Sequence, residues 1–134
     1  MPKINESELK KEIKSGDFKN AYLLYGEESY LKEYYASELK NKIVDKTFEA
    51  FNFHYFDGKD TELDDILKDA QMLPMMSEYN FVMVKDYPIE KSANDIKLLE
   101  EYLKDAPDTT VFVFWFDAIE PDVKSAKFKK VIKA

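Results

Sequence analysis

The sequence predicts an α/β domain, a parallel sheet with helices on both faces, and two observations predict it. Short apolar runs of strand length alternate with longer stretches whose apolar residues recur every three or four positions. The runs are also nearly continuous in apolar character, as strands covered on both sides are. A helix joining two parallel strands must bury its own stripe against the sheet, so strict alternation implies helices above and below it. At 134 residues the chain holds one sizeable core and is too short for two ordinary domains.

Each element has a local reason. Asn5 followed by Glu8 forms a possible capping box, Leu9 and Ile13 make a stripe, and Gly16 closes a first helix. Asn20 to Tyr25 reads as a strand covered on both faces. From about Ser29 to Lys46, Leu31, Tyr35, Leu39 and Ile43 repeat on one face of a second helix. Phe51 to Phe56 reads as a strand ended by Asp57-Gly58. Asp60 or Thr61 can cap a third helix with Leu63, Ile66, Leu67 and Ala70 facing inward. Phe81 to Val84 is a buried strand, and Ser92 or Asn94 opens a fourth helix whose Ile96, Leu99 and Leu103 face the core. Val111 to Phe116 is the most apolar run, which places it near the sheet centre, and a last helix is expected from Asp122 to the end.

Composition narrows the function. Aromatic residues make up 15% of the chain, which excludes general disorder, and the absence of cysteine excludes disulfides and thiolate chemistry. With no membrane-length apolar stretch and no signal-peptide core, the expected location is the cytoplasm. A net charge of −7 disfavours broad contact with nucleic acid. All 20 basic residues are lysine, so bidentate phosphate recognition and an arginine finger are both missing. From Pro121 onward the balance reverses, and there Lys127, Lys129 and Lys130 are candidate DNA contacts or simply a solvated helix face.

Chemistry of the active-site kind finds no foothold. Where a nucleotide-binding α/β domain carries its phosphate loop, Tyr22-Leu-Leu-Tyr-Gly26 runs into Glu27-Glu28-Ser29, with one glycine, no lysine and two acids that repel phosphate. No catalytic residue, cofactor site or metal site is expected. His54 is the single histidine and reads as a packed or half-exposed strand residue. Because ligand sites in such sheets gather at the carboxyl ends of strands, the turns at Gly26, Asp57, Asp86 and Asp117 are the expected functional loops. The alternative from another class is a receiver-like phosphoacceptor domain using Glu27, Glu28 and Asp86 with magnesium, although no fifth strand ends in the lysine such domains use.

The unusual segment follows the third helix. Met72, Leu73, Met75 and Met76 place four large apolar side chains within five positions, and Pro74 prevents helical continuation. Two readings stand: exposed methionines serve as adaptable anchors for another protein, or the loop folds back and all four join the core.

In the order and spacing of the Tyr22-to-Leu31 segment, the Gln71-to-Ser77 loop before Phe81-Val-Met-Val, and the Phe112-to-Phe116 strand before a lysine-rich end, the chain resembles the N-terminal domain of the delta subunits of bacterial DNA polymerase III clamp loaders. The resemblance covers essentially the whole chain. It implies an AAA+-like, P-loop-NTPase-like domain over 1–134 with a degenerate nucleotide site and no enzyme activity of its own. It further implies that the domain binds the β sliding clamp and helps to open it. Leu73, Pro74, Met75 and Met76 fall on the family's clamp-binding loop, with Met75 and Met76 replacing a frequent Leu-Phe pair. Delta subunits also carry a helical lid and a helical collar. The expectation is therefore a fragment whose contacts with other clamp-loader subunits lie mainly in those missing domains, and whose contact with DNA is weak or indirect.

Overall fold

The computed structural model describes residues 6–16, 18, 21–24, 29–89 and 92–116. The capping-box residue Asn5, the turn at Gly26, Glu27 and Glu28, Asp117, and the last helix with Lys127, Lys129 and Lys130 lie outside the described residues.

Among the described residues four strands form one parallel sheet in the order β1-β4-β3-β2, with β1 at Ala21–Leu24, β2 at Phe53–Asp57, β3 at Asn80–Lys85 and β4 at Thr110–Trp115. Successive side chains alternate faces, and each face has its own core. On one side Phe81, Met83, Val111, Val113 and Trp115 pack with Leu9 of α1 (Glu6–Ser15) and with Tyr35, Ala36, Leu39 and Ile43 of α2 (Ser29–Ile43). On the other, Val82, Val84, Phe112 and Phe114 meet Leu63, Ile66, Leu67 and Ala70 of α4 (Leu63–Ala70). Ile96, Leu99 and Tyr102 of α5 (Ala93–Lys104) complete that second layer. The three-layer expectation and the inward stripes of α2 and α4 are borne out, and β4 sits between two strands and is buried along its length.

Local departures have physical causes. Among the described residues β1 is an edge strand, so Tyr22 is buried while Ala21, Leu23 and Leu24 are only half-buried, in contrast to the expected two-sided cover. α2 ends at Ile43 because Asp45 starts a tighter turn over Lys46–Phe48, its carboxylate accepting from the Thr47 N–H at 2.9 Å. A short helix, α3 (Glu49–Asn52), then delays β2 to Phe53, so Phe51 and Asn52 are helical rather than extended.

Neither Asp60 nor Thr61 caps α4. Glu62 holds that position without a side-chain bond, and the Thr61 hydroxyl donates instead to the Asp57 carbonyl at 3.0 Å. The first amide of the helix finds a distant partner, the Tyr87 hydroxyl, at 3.2 Å from the Leu63 nitrogen. That hydroxyl donates in turn to Asp95 Oδ2 at 2.8 Å. At the other end of α4, the Tyr102 hydroxyl donates to the Ala70 carbonyl at 3.1 Å. Each end of the helix thus has one backbone group satisfied by a tyrosine from elsewhere in the chain. Burial and the bond to Asp95 push the Tyr87 hydroxyl above the ordinary tyrosine range, and burial pushes Tyr102 up to about 12. Both hydroxyls therefore stay protonated donors at neutral pH. Of the two predicted caps for α5, Ser92 serves, its hydroxyl accepting from the Asp95 N–H.

Gly58 fits where no other residue does. Its N–H donates to the Lys85 carbonyl at 2.7 Å, and an added Cβ would lie 2.5 Å from the Tyr87 backbone. Gly58→Ala is expected to lower stability by about 1–3 kcal/mol through this overpacking, read as an earlier midpoint in urea unfolding. An unchanged midpoint would show that the turn after β2 yields freely.

Candidate docking site

α4 ends at Ala70, and Pro74 stops its pattern, so the chain must cross an open stretch before β3 begins at Asn80. Across it Met72 is 48% exposed, Leu73 74%, Met75 54% and Met76 80%, while Pro74 is half-buried. Of the two readings left open by the sequence, the structure takes the exposed one. Met76 lies at φ 57°, in the left-handed region that non-glycine residues visit at some cost. A large apolar side chain held in that conformation and turned to solvent is a feature found at functional sites.

The backbone of the loop is well held even though its side chains are exposed. The Asn80 carboxamide, 1% exposed, donates to the Asp69 carbonyl at 2.9 Å and to the Met72 carbonyl at 3.2 Å. Asn52, 2% exposed at the end of α3, donates to the Met75 carbonyl and accepts from the Met75 N–H, both at 2.7 Å. Tyr79 ends the loop with its ring edge-on to Phe18 at 5.7 Å between centroids. The result is a fixed main chain that presents an exposed, polarizable apolar surface.

Two residues that hold this loop were not singled out from the sequence, Asn52 and Asn80. A signal for the asparagines existed, since Asn52 directly precedes β2 and Asn80 opens β3, each a polar residue at the start of a run otherwise rich in apolar side chains. Buried carboxamides are retained where their hydrogen bonds are made.

The loop leads into β3, so it lies at the amino edge of the parallel strands, opposite the turns singled out by topology. Among the described turns, Asp57 folds its own loop by accepting from the Lys59 N–H at 3.0 Å. Asp86 is buried at φ 58°, its N–H donating to the Trp115 carbonyl at 2.9 Å. The acceptor that a receiver domain would use is thus not presented to a phosphoryl donor. Among the described residues no group of three His, Asp or Glu side chains is placed to hold a metal ion. His54 is half-buried in β2, with Nδ1 3.5 Å from Asp69 Oδ2, in keeping with a packed strand residue.

Comparison with known proteins agrees with this architecture. Residues 22–134 match the family described as DNA polymerase III, delta subunit. The DNA polymerase III subunit delta of Bacillus subtilis (strain 168) is 32% identical over 131 residues, which is 92% of this chain and 37% of that protein. Among solved structures, the Bacillus subtilis DNA clamp loader delta protein superposes with a TM-score of 0.79 at 29% identity, over 95% of this chain and 40% of the other. A DNA polymerase III gamma subunit-related protein from Thermotoga maritima shares the fold, with a TM-score of 0.64 at 18% identity, over 92% of this chain and 43% of its own. The chain thus spans about two fifths of the length of these relatives.

Proposed function

We propose, from the premise that this chain belongs to the DNA polymerase III delta subunit family, that it is the part of such a subunit that docks on the β sliding clamp and helps to open it during DNA replication. The observation that carries this reading is the loop of exposed Leu73, Met75 and Met76 on a backbone fixed by two buried asparagines. Pro74 shapes the loop between the anchors.

The energetics suit an anchor of this kind. Burying one large apolar side chain contributes about 1.5–3 kcal/mol. Three such groups offset much of an association cost of roughly 4–15 kcal/mol, and flanking contacts supply the rest. Opening a ring requires that the domain bind the opened form more tightly than the closed one, since a partner shifts an equilibrium only through that difference. No reaction by this chain is involved. ATP acts through neighbouring clamp-loader subunits, and the lysine-rich segment with Lys127, Lys129 and Lys130 meets DNA weakly or indirectly. Work on DNA replication puts the domain in the cytoplasm; among the described residues no helix is long and apolar enough to cross a membrane.

Titration of the chain into the cognate clamp by calorimetry is the direct test. The expected result is saturable binding with a negative heat-capacity change, the mark of apolar burial. Absence of binding, in calorimetry and in pull-down alike, would sink the proposal.

A further inference from the structure

We infer that Asn52 is a positioning residue for the docking loop, setting the Met75 and Met76 backbone in binding geometry before any partner arrives. The inference rests on the clamp-docking reading of that loop. It comes from a contact across 23 positions of sequence, in which one buried carboxamide satisfies both the N–H and the C=O of a single loop residue at 2.7 Å each.

A carboxamide places a donor and an acceptor side by side without charge, as a peptide group does, so it extends the backbone pairing of a sheet to a segment that is not a strand. Asn52 is well supported for this task. It directly precedes Phe53, which pairs with Phe81 of β3. Its short helix is tied to α2 by Lys40, whose ammonium lies 3.2 Å from Glu49 Oε1 and 4.2 Å from the centre of the Phe53 ring. Sheet pairing at Phe53 and carboxamide pairing at Met75 therefore close a loop of chain from two sides. The adjacent Met76 is in the left-handed region, a conformation that a free loop would seldom populate. Fixing it in advance removes part of the ordering cost from the binding step, so affinity should depend on a side chain that the partner never touches.

Asn52→Asp is the informative variant because it keeps size and the acceptor but turns an oxygen toward the Met75 carbonyl in place of the donor. Asn52→Ala removes both bonds. For each variant, clamp affinity is measured by calorimetry and backbone order by ¹⁵N relaxation of the free chain. The expected result is at least a tenfold weaker affinity, with order parameters at Met75 and Met76 falling below roughly 0.6 while β3 and β4 stay near roughly 0.85. Met75→Ala with Met76→Ala should lose binding with loop order retained. If that double variant loses binding but both Asn52 variants bind like the wild type, the inference is overturned and the docking reading stands. Loss of order throughout the sheet would assign Asn52 a general structural role and overturn it as well. A wild-type chain that does not bind the clamp overturns both.

Discussion

Met75→Ala combined with Met76→Ala is expected to weaken binding to the cognate sliding clamp by about 100-fold or more while leaving the melting temperature nearly unchanged. The two halves of that expectation have separate causes. Central apolar anchors that become fully desolvated are the residues whose truncation costs about 2 kcal/mol or more in an interface. In the free chain the same side chains are 54% and 80% exposed, so the fold gains little from them. Substitutions at such positions usually change stability by no more than about 0.5 kcal/mol. Met76 keeps its left-handed φ in either form, since alanine and methionine share the same Cβ constraint. Calorimetry with the clamp and a thermal melt of the free chain read the two halves. Unchanged affinity would remove the loop from the interface, and a large fall in the melting temperature would return both methionines to the core.

Phe114→Ala is expected to cost about 3–5 kcal/mol, the range found for deleting a buried aromatic ring. Phe114 is buried in β4 and stacks on Phe112 with 4.5 Å between centroids and planes 19° apart. Its ring also meets Tyr87 edge-on at 6.5 Å, and the Tyr87 hydroxyl serves the first amide of α4. The cavity would therefore loosen a helix start as well as the sheet. Against a usual total of about 5–15 kcal/mol, such a loss removes a large share of the stability. Urea unfolding measures it, and a cost under about 1.5 kcal/mol would mean that the second core is less tightly packed than described.

How legible the fold was depended on how local its causes are. Phe81 to Val84 and Val111 to Phe116 announced themselves because continuous apolarity reports cover on both faces, and both became fully buried strands. Leu63, Ile66, Leu67 and Ala70 identified their own buried stripe through the helical repeat. The start of β2 was misplaced because Phe51 and Phe53 imitate strand alternation, whereas the turn capped by Asp45 and the helix after it decide where extension begins. Hidden from sequence were the contacts that span it. Tyr87 meets Leu63 across 24 positions, Tyr102 meets Ala70 across 32, and Asn52 meets Met75 across 23.

The candidate site was legible in its side chains and illegible in its place. Four large apolar groups around Pro74 marked the segment, but no periodicity says whether such a loop turns in or out. Reasoning from parallel sheets directed attention to the carboxyl edge, where small ligands gather. A surface for another protein is not bound by that rule, because it requires exposed apolar area and a firm backbone rather than converging strand ends and helix dipoles.

The arrangement around α4 also bears on mechanics. A helix of eight residues in isolation would unravel readily under a pull on one end. Here the strain has other routes: through Asn80 into the rigid centre of the sheet, and through Tyr102 into the long helix beside it. A tug on the methionine loop is thus conveyed to the body of the domain as a stiff handle conveys force, with little lost to slack.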